Sequence, residues 1–308
     1  MKWYILQKKF HEYFTCKEDY MKPYIISTDS MADLPYDFTE EHNIPMIPMY
    51  FQLGDKTYDS NSRELSGKDF FDAMRNGEMP TTMASNPGVI RDHFEHLLEQ
   101  GYDILHIAFS SGLSSSCDYA FKAAEQIMEE KPDAKIIVID SLAATLGQGL
   151  LVYYACKKKE EGADIDELAA YIEDMKYHIC HMFTVDDLFH LYRGGRVSKA
   201  SAIIGTIANI KPVLHVDNEG HLINIDKIRG RKRALNALVD GMAERIGDYE
   251  NPLVCITHGD CLEDAEYVKS LIEERFDLHN FMIDYVGCTI GAHTGPGLVA
   301  LFFTGDHR

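Results

Sequence analysis

Short apolar runs that end in small hydroxyl or acidic residues alternate with longer stretches whose apolar positions recur at helical spacing. Tyr24-Ile25-Ile26 reads as a strand ending in Ser27-Thr28-Asp29-Ser30, with a turn at Leu34-Pro35 after it. Ile44 to Phe51 reads as a second strand, and Pro45 and Pro48 mark it as an edge or irregular one. Ser66 caps a predicted helix from Gly67 to about Arg75 that carries Phe70, Phe71 and Met74 on one side. Asn86-Pro87 opens another helix, with Val89, Ile90, Phe94 and Leu97-Leu98 as its apolar face. Ile104 to Phe109 is a buried strand that runs into Ser110-Ser111-Gly112-Leu113-Ser114-Ser115-Ser116, with a helix from near Asp118 to about Glu130. Lys135 to Ile139 is a strand ending at Asp140-Ser141, and helices follow over 146–159 and 164–176. Four strand-then-helix units argue for a largely parallel sheet covered by helices.

After about residue 177 the pattern changes. A strand from His178 to Val185 and a short helix to Tyr192 lead to the glycine turn Arg193-Gly194-Gly195-Arg196. The run 200–210 is apolar and small-residued, and reads as a buried helix. Val213–Val216 and Leu222–Ile228 flank Asn218-Glu219-Gly220, a hairpin signal. Helices over 232–246 and 264–275 alternate with strands over 253–258, 281–286 and 298–303. The expected fold class is therefore α/β, a parallel-sheet domain followed by a second, antiparallel α+β domain. At 308 residues two domains are the default. The boundaries read as an extension over 1–22, a first domain over 23–176 and a second over 177–308. The segment near 52–80 is the part of the first domain expected to pack with the second.

The net charge of −19 argues against nucleic acid as a general partner. No apolar run approaches the roughly 20 residues that span a bilayer, which argues against an integral membrane segment. Met1 to Lys9 has too short an apolar stretch for a secretory signal and no small-residue cleavage site. The seven cysteines are scattered without a CxxC pair, which favours reduced thiols in a cytosol over disulfides or a metal site.

Candidate chemistry gathers at strand ends, where free backbone N–H groups and hydroxyls suit an anion or carboxylate. Asp29, Ser30, Ser110, Ser111 and Gly112 stand at such ends, although serine is also a common helix cap. Gly194-Gly195 between two arginines is either a phosphate cradle or a sharp turn. Ser111 and His293 with Asp29 or Asp140 would compose an acyl hydrolase triad, but the G-x-S-x-G elbow is missing. A carrier of another small carboxylate or carbonyl ligand remains open on fold analogy.

Six stretches together carry a resemblance. They are Ser27-Thr28-Asp29-Ser30-Met31-Ala32-Asp33-Leu34-Pro35, Pro80-Thr81-Thr82, Ser110-Ser111-Gly112-Leu113-Ser114, Arg193-Gly194-Gly195-Arg196-Val197-Ser198, Lys211-Pro212-Val213-Leu214 and His293-Thr294-Gly295-Pro296-Gly297. In this order they resemble the DegV family, bacterial fatty-acid-binding proteins that partner fatty acid kinase. The resemblance implies a Rossmann-like domain beside an α+β domain, with a long-chain fatty acid in a buried apolar tunnel. It implies a non-catalytic, cytoplasmic lipid-binding subunit of phospholipid metabolism. No cofactor and no metal are implied, the fatty acid kinase subunit is the protein partner, and any membrane contact is transient and confined to the surface. It places carboxylate contacts on Thr82, Ser111 and His293, all donors with no competing acid. Asp29, Ser30, Thr81, Ser110, Gly112 and Gly195 are secondary candidates for the ligand site. Met83 stands where the family usually has serine, and Ser115-Ser116-Cys117 replaces a more common Gly-Thr-Tyr. Among the basic residues concentrated after residue 192, Arg193, Arg196, Arg229 and Arg231 are the candidates for partner docking.

Overall fold

The computed structural model describes residues 22–62, 64–186, 188–198 and 209–308. The extension expected over 1–22 lies outside these apart from Lys22, and the apolar helix expected over 200–210 lies outside apart from Asn209 and Ile210.

Four strands make an all-parallel sheet: β1 (Tyr24–Asp29), β2 (Met46–Ile47), β6 (Asp103–Ala108) and β7 (Ile136–Asp140), in the order β2-β1-β6-β7. Side chains alternate across it, as strand geometry requires. Ile25, Ile104 and Ile136 join Ile90 and Phe94 of helix Pro87–Glu99 and Ile127 of helix Ser116–Glu130. Ile26, Leu105 and Ile107 face the other way, into the main core. The Asn86 side chain accepts the Gly88 N–H with Pro87 in the first turn, so the cap read from the sequence is formed.

A six-stranded sheet is built from β8 (Ile179–Thr184), β9 (Ile210–Val216), β10 (Leu222–Arg229), β11 (Val254–His258), β12 (Phe281–Tyr285) and β13 (Val299–Thr304). Its order is β10-β9-β8-β13-β11-β12, antiparallel except for the β11/β12 pair. Cys180, Met182 and Leu301 pack under helices Arg231–Arg245 and Leu262–Phe276, while Phe183, Ala300 and Phe302 face the main core.

Helix Leu146–Glu160 lies between the two sheets. Leu146, Leu150, Leu151, Val152 and Ala155 are fully buried in the core that both sheets share. A helix segment buried on every side, as 146–152 is, belongs in such a place. One polar side chain pins it. Gln148 Nε2 donates to Thr28 Oγ1 at 2.9 Å, Asp29 Oδ1 at 3.2 Å and the Ile107 carbonyl at 3.2 Å.

The single strand expected over Ile44–Phe51 is in fact two strands in different sheets. Pro48 has no N–H to give a ladder, and the chain turns there. β2 stays with the parallel sheet, while β3 (Tyr50–Leu53) pairs antiparallel with β4 (Lys56–Asp59) and β5 (Thr81–Met83). Two short helices, Tyr36–Glu41 and Cys288–Thr294, stand where the sequence pattern assigned no element. Helix Gly67–Arg75 packs on the second of these at Gly291, where a Cβ would lie 3.0 Å from the Phe71 ring.

Candidate functional site

The carboxyl ends of β1 and β6 are tied together by Asp29. Its Oδ1 accepts Met31 N–H and the Gln148 amide, and its Oδ2 accepts Phe109 N–H at 2.7 Å. Burial pushes this carboxyl up to about 6, and its three donors oppose the shift. Ser30 Oγ accepts Met49 N–H at 2.9 Å. Ser110 Oγ donates to the Gly220 carbonyl at 3.0 Å and accepts Gly112 N–H at 3.2 Å. Gly112 itself sits so close to the hairpin turn that a Cβ would lie 2.8 Å from the carbonyl oxygens of Glu219 and Gly220. These four residues, read from the sequence as ligand candidates, shape the loops around a site rather than line it.

The cavity they shape holds about 210 Å³. Met31, Met49, Phe109, Phe183, Leu298 and Phe302 give it apolar walls drawn from both sheets. Four elements contribute polar side chains to its lining. β5 supplies Thr82, whose Oγ1 lies 2.8 Å from His293 Nε2 on helix Cys288–Thr294. The loop after β6 supplies Ser114 and Ser115, and the turn after helix Phe189–Arg193 supplies Arg196. Arg196 donates from Nε and Nη2 to the Leu113 carbonyl at 3.1 and 2.9 Å, which holds the serine loop over the cavity.

His293 is pushed down to about 4 by burial first and then by the Arg196 and Arg193 charges, so at neutral pH its imidazole is uncharged. A Cβ on Gly194 would lie 2.0 Å from His293 Nδ1, so the glycine turn is what lets the ring reach Thr82. Gly195 only turns the chain, at φ +78° with open space around it.

Of the three expected carboxylate contacts, Thr82 and His293 are brought together, while Ser111 stands apart from them. Ser111 is exposed, stands off the cavity wall, and gives its backbone N–H to Asp140 Oδ1 at 3.2 Å. Ser114, three residues on, reaches the wall instead, because the turn closed by Ser110 rotates the loop between them. Thr81 points out, as strand alternation beside Thr82 dictates. The triad of Ser111, His293 and Asp29 or Asp140 is not assembled: both acids accept backbone N–H groups, and the His293 nitrogens face Thr82 and Gly194.

Of the four docking arginines, three commit their guanidinium groups to the fold. Arg193 donates to the Pro80 and Ala292 carbonyls, Arg196 to the serine loop, and Arg231 to Asp264 at 2.8 Å. Arg229 is exposed at the end of β10 and makes no ion pair with a described residue. Sequence reasoning missed Arg196 as a wall residue, and it missed Thr145 and His181, which also line the cavity. No local signal marks these two, since the helix and strand that carry them meet only in the fold. Among the described residues no helix is long and apolar enough to cross a membrane.

Residues 24–306 match a family model described as an uncharacterised protein of the DegV family. A DegV domain-containing protein of Clostridium perfringens is 42% identical over 289 residues, which cover 94% of this chain and 99% of that one. Among solved structures, a fatty acid binding DegV family protein from Streptococcus agalactiae is 28% identical with a TM-score of 0.82, covering 93% of this chain and 100% of its own. DegV from Bacillus subtilis, described as a fatty acid binding protein, is 28% identical with a TM-score of 0.78, covering 92% and 100%.

Proposed function

The chain belongs to the DegV family, and from that premise we propose that it binds a long-chain fatty acid and presents its carboxylate to a fatty acid kinase subunit for phosphorylation. The observation that carries the reading is one largely apolar cavity whose wall carries the Thr82–His293 pair together with Ser114 and Arg196. A fatty acid needs that pairing of an alkyl-sized apolar space with donors for a carboxylate. Thr82 and Ser114 offer hydroxyl protons, neutral His293 offers one ring N–H, and Arg196 adds a cation. Relatives described as fatty acid binding support the reading. The proposed role in the kinase reaction is non-catalytic. Thr81 and Met83, exposed on either side of Thr82, set the head group about one residue from the surface, where a kinase could reach it.

Organic extraction of the purified protein followed by mass spectrometry is expected to yield a fatty acid. The delipidated protein is expected to take it up again and, with the kinase and ATP, to form an acyl phosphate that hydroxylamine traps. A protein that carries no fatty acid and takes none up overturns the reading. Uptake without acyl phosphate formation overturns the kinase role alone.

A further inference from the structure

The hydroxyl of Ser114, on the cavity wall, is held in stages by groups that lie behind it. Its backbone is fixed first. The Ser114 N–H donates to the Ser110 carbonyl at 3.1 Å, and the Leu113 carbonyl just before it accepts from Arg196 Nε and Nη2. Its oxygen is fixed next. Helix Ser116–Glu130 begins at Ser116, so the Ser116 N–H has no partner inside the helix, and Ser114 Oγ accepts it at 3.2 Å. Only the direction of one proton is left open.

Ser116 is 6% exposed and is not among the residues that line the cavity. Its Oγ lies 3.0 Å from Ser114 Oγ and 3.3 Å from Met49 Sδ, and its single proton can serve one of the two. A hydroxyl oxygen accepts twice and donates once. When Ser114 Oγ receives both the N–H and the O–H of Ser116, its lone pairs are filled and its own proton is free for the cavity. In the other arrangement Ser114 donates to Ser116 and Ser116 donates to Met49. That spends the Ser114 proton inside the wall, and its last acceptor is a thioether, which is a weak one. A carboxylate in the cavity is a stronger acceptor than either a hydroxyl or a thioether, so it selects the first arrangement.

We infer, resting on the fatty acid reading above, that Ser116 is a positioning residue for the head group: it donates to Ser114 Oγ and so turns the Ser114 proton toward the carboxylate. Ser116 itself touches no part of the ligand. Met49 Sδ holds the Ser116 proton while the cavity is empty.

The test is a double-mutant cycle read as Kd for octadecanoic acid, on delipidated native protein, Ser114→Ala, Ser116→Ala and the double variant. Ser116→Ala keeps the N–H that fixes the Ser114 oxygen and removes only the hydroxyl. It is expected to raise Kd about threefold to tenfold in the native background, the worth of one neutral hydrogen bond. In the Ser114→Ala background the same change is expected to move Kd by less than about twofold, because no proton remains there to be turned. An equal loss in both backgrounds would mean that Ser116 acts through the packing of the wall, and it overturns the inference. So does an unchanged Kd in Ser116→Ala, or in Ser114→Ala. In each of these cases binding by the native protein leaves the fatty acid reading standing, whereas a native protein that holds no octadecanoic acid overturns both.

Discussion

At the scale of single residues, His293 illustrates how the proposed head-group site would be built without a buried charge of its own. Burial and two nearby arginines keep the ring neutral, and Thr82 and the close approach of Gly194 fix where it points. Removing either donor takes away a hydrogen bond to a carboxylate, worth about 1.5–3 kcal/mol. Thr82→Val and His293→Ala are each expected to weaken fatty acid retention about 10-fold to 100-fold in a fluorescent-lipid titration. Ser111→Ala is expected to leave it unchanged, and a loss there comparable to that in Thr82→Val would return Ser111 to the site. Thr82 and His293 were expected together only through the family resemblance, since each taken alone reads as a loop or turn residue; the fold brings them to 2.8 Å. Which serine of Ser110 to Ser116 faces inward was not legible. That depends on Ser110 and Gly112 locking onto the hairpin turn at Glu219-Gly220, more than a hundred residues away.

At the scale of elements, local rules succeeded where the signal is local. Ser66, Asn86 and Asp164 cap their helices as side-chain chemistry dictates, Asp164 through a capping box with Glu167. Thr81–Met83 was not legible as a strand, being three residues whose extended form depends on pairing with Tyr50–Gln52. Helix Pro87–Glu99 shows another non-local device, a polar joint beneath its apolar face. Ser27 Oγ on β1 lies 2.9 Å from His93 Nε2 on that helix and 3.1 Å from His106 Nδ1 on β6. Burial pushes His93 down to about 4 and His106 to about 3, so both are neutral in the fold. The unfolded chain takes up these protons near 6.5 and the folded one only near 4 and 3. Between those values the unfolded state binds more protons, so stability is full above 6.5 and falls as the pH is lowered through the window. Asp29 and Asp33 act in the opposite sense. Raised to about 6 and about 7, they hold protons in the fold that the unfolded chain has released, and so withdraw stability as pH rises toward 7. His93→Gln removes one of the acid-sensitive groups and leaves the aspartates in place. The expected outcome is that, as the pH is lowered from 6.5 to 4, the stability of His93→Gln relative to native rises by about 3 kcal/mol. Parallel Tm profiles for the two proteins would show that His93 does not titrate in this way.

At the scale of the whole molecule, charge is distributed against the average. A chain of net charge −19 places Lys227, Arg229, Arg231, Lys232 and Arg233 within one short stretch, at the end of β10 and the start of the following helix. Cations at a helix amino end oppose its dipole, so the helix gains nothing from them there. Arg231 has a local reason, its bond to Asp264, and Lys232 lies over the Tyr267 ring at 5.0 Å. Arg229 has neither reason among the described residues. The cluster was legible in the sequence, but which of its charges face outward was not, since that depends on acids brought in from Asp186 and Asp264. A kinase that presents a nucleotide to the bound carboxylate brings negative charge toward this protein. An exposed cation on an acidic body would steer that encounter, and the effect would be strongest at low salt. Arg229→Glu is therefore expected to slow acyl phosphate formation by the kinase several-fold at low ionic strength. The deficit should shrink at about 0.15 M salt, where the Debye length falls to about 8 Å. Fatty acid affinity should not change, because Arg229 is not among the residues that line the cavity. Equal rates for native and Arg229→Glu at both salt concentrations would remove this residue from the docking surface. An equal deficit at both would point to a direct contact with the kinase rather than steering, because a short-range bond is screened far less than a long-range field.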